Sequence, residues 1–289
     1  MPREQPTSAA GATAGVFSLS ALLPELELIA RKLRRTIITM IGKASSGHPG
    51  GSLSAVEIVT ALYFKILRHK PADPAWRDRD RFILSKGHAA PLLYATLAEC
   101  GYFPKEELMT LRQLGSCLQG HPDCHLTPGV EMSVGALGQG LSYAVGVALA
   151  GRLNSQDYHV YVLLGDGECD EGQVWEAAMS AAHFKPERLI AIVDNNGLQL
   201  DGWNRDIMNL EPFSQKWQAF GWRVMEVDGH NLAQLIDAFN RAKQATGQPT
   251  VIIAHTVKGK GVSFMENNVD FHGKAPNADE VKRALKELA

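Results

Sequence analysis

What the chain has little of narrows it first. Its 289 residues include only four cysteines, Cys100, Cys117, Cys124 and Cys169, and no CxxC pair. That excludes a disulfide-built scaffold and points to a reducing, cytoplasmic setting. His121 and His125 lie near Cys117 and Cys124, but structural zinc sites use tighter cysteine pairs, so zinc is not expected. No charge of one sign dominates. The formal net charge is −2, which leaves no broad basic surface for nucleic acid or membrane. No apolar run has the roughly 20 residues of a membrane-spanning helix. Internal repeats and low-complexity linkers are absent. Residues 1–20, rich in Ala, Gly, Ser and Thr, lack the basic start and apolar core of a secretory leader. They are expected to form a flexible tail, leaving 21–289 as a single domain.

What is present is ample apolar material, 45% of the chain, in alternating strand-like and helix-like stretches. Strands are expected at 80–85, 158–164, 189–193, 222–227 and 249–255, as short apolar runs ending at polar or glycine residues. Helices are expected at 22–41, 54–67, 90–100, 141–152, 173–182, 213–220, 232–244 and from Asp279 onward. Glu57 lies three positions after Ser54, the spacing of a capping box. Most of the basic cluster Arg31, Lys32, Arg34 and Arg35 reads as a solvated face. The alternation indicates an α/β fold: a mostly parallel sheet with helices on both faces.

Two strand ends carry the chemistry. The run 158–164 stops at Gly165-Asp166-Gly167, and the run 189–193 stops at Asp194-Asn195-Asn196. Ligands of open parallel sheets bind beyond the carboxyl ends of the strands. An Asp and an Asn there supply hard oxygen donors suited to Mg2+ or Ca2+ held together with a phosphate. The flanking glycines let a diphosphate approach backbone amides. Four histidines beside glycine in predicted loops stand out: His48, His88, His121 and His272. One such histidine is usually structural; four together point to a site. The turn Gly135-Ala136-Leu137-Gly138-Gln139-Gly140 opens a helix, the kind of place that attracts anions.

Several of these stretches resemble the transketolase family, in that family's order: Ser46-Gly47-His48-Pro49-Gly50, Leu84-Ser85-Lys86-Gly87-His88, Gly120-His121-Pro122, Gly138-Gln139-Gly140-Leu141, Gly165-Asp166-Gly167 with Asn195-Asn196, and Phe271-His272-Gly273. The last-but-one pair is similar to the thiamine-diphosphate signature. The resemblance runs from about Leu26 to Pro276 and covers only the N-terminal, diphosphate-binding domain, so it implies the N-terminal subunit of a split transketolase. It implies thiamine diphosphate with Mg2+ (or Ca2+) as cofactors, the metal on Asp166, Asn196 and the Leu198 carbonyl. The Gly167 amide and His88 would meet the diphosphate. Gly135, Ala136 and Leu137 would line the cofactor, although many family members have proline where Ala136 stands. His48, His121 and His272 would face the sugar, with His272 also near the cofactor. Glu171 is implied in a carboxylate network at a subunit contact; its own position equally fits a glutamate stabilised at a helix N-terminus. Glu168 and Asp170 have no assigned part.

The function so implied is transfer of a two-carbon glycolaldehyde unit from a ketose or ketose phosphate to an aldose. The implied partner is a C-terminal subunit carrying the pyrimidine-binding and C-terminal domains, together in a heterotetramer. Two other readings stand beside it. One is a deoxyxylulose-phosphate-synthase-like or 2-oxoacid-dehydrogenase-like subunit, on the flavour of Thr256-Val257-Lys258-Gly259-Lys260-Gly261. The other is a non-catalytic regulatory or assembly protein.

Overall fold

The computed structural model describes residues 19–289, so the expected tail at 1–20 falls almost wholly outside the described residues. The chain opens with a long helix α1 (Leu19–Ala44), then α2 (Pro49–Ser54) and α3 (Val56–Ala61), which runs into one π-helical turn at Leu62–Ile66. There follow β1 (Arg81–Leu84), α4 (Ala90–Cys100), α5 (Gln139–Leu153), β2 (Val160–Gly165), α6 (Gly172–Phe184) and β3 (Leu189–Asn195). The C-terminal part comprises α7 (Asn204–Ile207), α8 (Phe213–Ala219), β4 (Arg223–Asp228), α9 (Leu232–Lys243), β5 (Thr250–His255) and α10 (Ala278–Glu287). The five strands form one sheet in the order β1-β2-β3-β5-β4, every neighbouring pair parallel. The expected fold class is therefore observed.

The strands read as continuous apolar runs because both faces of the sheet are covered. On β2, Tyr161 and Leu163 face the core beneath α1, α3, α4 and α9, while Val160, Val162 and Leu164 face the core beneath α5, α6 and α8. On β3, Ile190 and Ile192 join the first core, and Leu189, Ala191 and Val193 the second. That is the period-two alternation of a strand with apolar residues in both phases. β4, at the sheet edge, is only half-buried. Because all strands run the same way, Leu84, Gly165, Asn195, His255 and Asp228 end at one edge.

One expected element is built differently. The second helix begins five residues before the predicted start, at Pro49, whose ring is pre-set for a first helical turn. Ser54 closes that short helix and caps nothing. Its hydroxyl donates instead to the Gly51 carbonyl and the Asp194 carboxylate. Glu57 is buried against Arg34 and His230, so the predicted capping box does not form. Arg34 likewise leaves the solvated face expected for its cluster. Among the described residues, no helix is long and apolar enough to cross a membrane.

The second core rests on Trp217, fully buried among Trp175, Phe213 and Trp222, with ring centroids 5.1 Å from Trp222 and 5.2 Å from Trp175. Trp217→Ala is expected to lower unfolding free energy by about 3–5 kcal/mol. The check is a lower urea midpoint at unchanged slope.

Candidate functional site

The site is assembled at the carboxyl edge from short loops, each leaving a strand or entering a helix. β2 delivers Asp166 and β3 delivers Asn196. The segment after β1 delivers Lys86 and His88, the residue before α2 is His48, and the segment after β5 delivers Lys258. A single cleft of about 290 Å3 is lined by His48, His88, His121, His272, Gly135, Leu137, Asp166, Gly167, Asn196 and Leu198, together with Lys86, Glu168 and Lys258. The four selected histidines are brought together. The His48 ring lies 5.4 Å from His88, 6.4 Å from His121 and 5.8 Å from His272, and His88 lies 5.2 Å from His272. Two residues selected from the sequence fall outside the lining. Ala136 is exposed beside it, and Glu171 is exposed just before α6, with no capping hydrogen bond from its side chain. A larger cavity of about 830 Å3 lies between α1, α9 and the C-terminal residues; none of the candidate site residues lines it, although Arg34, Glu57 and His230 do.

Asp194 is the centre of the site's architecture, a residue that sequence reading used only as a strand exit. It is fully buried and pairs with the equally buried Lys86 ammonium. It also accepts hydrogen bonds from the hydroxyls of Ser54 and Thr256 and, at 3.3 Å, from the Asn196 amide. Lys86 donates in addition to the Gly51 carbonyl at 2.8 Å. Burial alone would raise the Asp194 pKa, but Lys86 and the two hydroxyls outweigh it and hold the carboxyl below its usual value. The alternation of strand and loop gave Lys86 no special status; a lysine inside an apolar strand end followed by glycine was the available signal.

Glu168, left without a part by the sequence, also has one. It is buried and accepts from the Ser85 hydroxyl, the Gly138 amide at 2.9 Å and the Gly165 amide at 3.0 Å. It ties the turn before α5 to the ends of β1 and β2. That turn comes close because Gly140 has no side chain: a Cβ there would lie 2.3 Å from Ser85 Oγ and 2.8 Å from its Cα. Asp170 is exposed and remains without a part.

The oxygen donors face the cleft around Asp166. Its carboxylate accepts from the Gly167 amide at 2.8 Å and from the Gly197 amide. The Asn196 side-chain oxygen accepts from the Leu198 amide at 3.1 Å, and the Leu198 carbonyl accepts from Lys258 Nζ at 2.7 Å. Lys258 is buried, and among the described residues it makes no salt bridge; its ammonium also lies 2.8 Å from His272 Nδ1. Burial, then the Asp194 charge, raises the Asp166 pKa to about 6, and burial lowers that of Lys258 to about 8. A carboxylate, an amide oxygen and a carbonyl form an all-oxygen donor set that fits a hard divalent cation. Among the described residues the only tight group of three soft and hard donors is elsewhere, at Asp123, Cys124 and His125; Cys117 is not in it.

The histidines are neutral at pH 7. Burial first, then the positive charges of Arg112 and Lys258, with His121, holds His48 at about 4. Burial and Lys258 hold His272 at about 3, and His88 and His121 are lowered too. His48 Nδ1 is buried and has no hydrogen-bond partner among the described residues. The cleft thus gathers neutral imidazoles and an ammonium without a counter-ion, an arrangement complementary to an anion with a polar, hydroxylated neighbour.

The family described as transketolase, thiamine diphosphate binding domain, matches residues 26–289. The 6-deoxy-6-sulfo-D-fructose transketolase subunit SqwG of Clostridium sp. (strain MSTE9) is 46% identical over 264 residues, covering 91% of this chain and 96% of that protein. An apulose-4-phosphate transketolase subunit from Actinobacillus succinogenes is 46% identical over 265 residues, with 91% and 96% covered. Among solved structures, transketolase from Leishmania mexicana superposes with a TM-score of 0.86 at 33% identity, covering 91% of this chain and 41% of that one. Pichia stipitis transketolase in complex with sedoheptulose 7-phosphate gives 0.87 at 33% identity, covering 91% and 40%. The chain therefore spans about two fifths of those longer proteins.

Two outcomes test this geometry. Lys86→Ala leaves Asp194 buried and unpaired and is expected to cost about 3–5 kcal/mol of stability in urea unfolding. The second concerns pH. An imidazole held at about 4, against 6.5 when unfolded, takes up its proton less readily in the folded chain. The unfolded chain binds more protons as pH falls below 6.5, so stability declines down to about 4. His48→Gln is expected to flatten that decline, measured as the urea midpoint between pH 7 and 4.

Proposed function

Because the chain belongs to the transketolase family, through its thiamine-diphosphate-binding domain, we propose that it is the N-terminal subunit of a split transketolase that moves a two-carbon glycolaldehyde unit from a ketose to an aldose. The observation that carries this reading is the convergence of Asp166, Asn196 and Leu198 oxygens with four neutral histidines in one cleft. Near-full-length relatives named as transketolase subunits favour it over two other readings. Those are a deoxyxylulose-phosphate-synthase-like or 2-oxoacid-dehydrogenase-like subunit, and a regulatory or assembly protein.

The Asp166 carboxylate, the Asn196 amide oxygen and the Leu198 carbonyl would hold Mg2+ or Ca2+. Burial and Asp194 make charge costly on Asp166, and a bound cation would offset that cost. His88 and the Lys258 ammonium would receive the diphosphate beside Gly167, whose amide in this structure donates to Asp166, and Gly135, Ala136 and Leu137 would flank the rest of the cofactor. Thiamine diphosphate supplies the carbanion chemistry of its thiazolium ring. The chain's own groups bind and orient. His48, His121 and His272 face the sugar hydroxyls; a neutral imidazole nitrogen accepts a hydroxyl proton as the bond beside the carbonyl breaks and returns it to the product. An anion in the cleft offsets the nearby positive charges and raises the imidazole pKa values toward the range useful for that transfer.

Carboxyl, pyrimidine-binding and sugar-phosphate groups needed to complete the site come from a C-terminal partner subunit, in a heterotetramer. Glu171, exposed at the start of α6, is available to a carboxylate network at the contact. The setting is cytoplasmic, in keeping with four free cysteines. The donor is a ketose carrying phosphate or another anionic tail.

The direct test compares the purified chain with the chain co-expressed with its partner, using a panel of phosphorylated and sulfonated ketose donors. The chain alone is expected to be silent and the complex active; normal turnover by the chain alone would reject the split reading. In the complex, Asp166→Ala is expected to abolish Mg2+-dependent thiamine diphosphate binding, followed by calorimetry, without lowering the melting temperature by more than a few degrees. Unchanged cofactor affinity would reject the metal assignment.

A further inference from the structure

One buried charged cluster lies outside the cleft and has no part in the chemistry above. Glu57 on α3 accepts from both terminal nitrogens of Arg34, at 2.5 and 2.7 Å. Its Oε2 also lies 2.9 Å from His230 Nδ1. Both Arg34 and Glu57 are less than one tenth exposed. Replacing such a group by apolar residues usually costs nothing or stabilises, so the cluster calls for a purpose other than stability.

The other side of the histidine supplies one. His230 Nε2 accepts from the Val257 backbone amide at 2.8 Å. A backbone amide can only donate, so Nε2 carries no proton and Nδ1 does, donating it to Glu57. Burial would raise the Glu57 pKa, but the hydrogen bonds from His230 and Arg34 bring it down to about 2, so the acceptor is a full carboxylate. The next residue is Lys258, whose ammonium reaches Leu198 and His272 in the cleft. On the far side of the same turn, Arg34 Nε donates to the Lys260 carbonyl at 3.0 Å. The turn is thus gripped at Val257 and at Lys260, with Lys258 between. Gly229 permits the grip: a Cβ there would lie 2.4 Å from Thr256 Cγ2 and 3.0 Å from the His255 carbonyl. Only a glycine lets the loop after β4 close on the end of β5 and present His230.

We propose that Arg34, Glu57 and His230 form a positioning relay that sets Lys258 for the cofactor diphosphate from behind the site. None of the three touches the cleft. They act through the Val257 amide and the Lys260 carbonyl. The proposal rests on the transketolase-subunit reading, because it gives Lys258 its ligand.

The tautomer is tested on the purified chain. Imidazole nitrogen spectra are expected to show His230 as the neutral Nδ1–H form, and hydrogen exchange is expected to show the Val257 amide protected. A proton on Nε2 overturns the relay. His230→Phe keeps a ring but no acceptor; it is expected to speed Val257 exchange by about tenfold, the worth of one hydrogen bond. In the two-chain complex with Mg2+, the same variant is expected to weaken thiamine diphosphate binding several-fold, and His230→Gln, which retains an acceptor, to recover part of the loss. If His230→Phe does not fold, Glu57→Gln serves in its place: it keeps shape but loosens the ring, with the same expected direction. Wild-type complex that binds thiamine diphosphate, with a folded variant that binds it equally well, overturns the positioning role alone. Wild-type complex that fails to bind it overturns the functional reading beneath, and the positioning role falls with it.

Discussion

The Lys86–Asp194 ion pair is the constraint on which the site depends. It joins the exits of β1 and β3, and through Gly51 and Ser54 it draws in α2, and through Thr256 the exit of β5. Four separate stretches of chain converge on two side chains from which solvent is excluded. Taking both charges out of water is expensive, and only the full set of hydrogen bonds makes it tolerable. The consequence is geometric. With Asp194 held, Asn196 is oriented by its own bond to that carboxylate, and Thr256 sets the start of the segment that carries Lys258.

A second layer surrounds this pair. Glu168 holds the turn before α5 against the strand ends by accepting from two backbone amides and a hydroxyl. The Arg34–Glu57–His230 group holds the segment after β5 from the opposite side. Buried carboxylates thus brace the loops, while the groups that face the cleft are, among the described residues, left without a balancing charge or partner: an Asp166 carboxyl with a raised pKa and only backbone amides as donors, a Lys258 ammonium without a salt bridge, and a His48 nitrogen with no hydrogen bond. Charge left unsatisfied at the surface of a rigid frame is what a cation and a diphosphate together would satisfy.

Much of this was legible in the sequence, and the part that was not has a physical reason. The strands at 189–193 and 249–255 stood out because a parallel sheet covered on both faces writes itself as unbroken apolar runs. The glycine–histidine loops could be grouped because each sits at a strand end or helix start, and such places share one edge when all strands are parallel. What stayed hidden were long-range pairings. The one local mark on Lys86 is its place between an apolar strand end and a glycine, and nothing local distinguishes Arg34 from its solvated neighbours Arg31 and Lys32; their partners are 108 and 23 residues away. The Ser54–Glu57 spacing was misleading for the same reason. Both residues were committed to distant partners, and the helix took its start from Pro49 instead. Glu168 looked like surplus acidity in a loop and proved to be the ligand of three donors from separate segments.

The oxygens after β2 and β3 are proposed to hold a divalent cation at a cofactor site completed by another chain. Anomalous scattering from Mn2+ in crystals of the two-chain complex with thiamine diphosphate tests this proposal most directly. One peak per chain is expected, bonded to the Asp166 carboxylate, the Asn196 side-chain oxygen and the Leu198 carbonyl. A cofactor-bearing complex with its Mn2+ elsewhere, for instance at Asp123, Cys124 and His125, would contradict it.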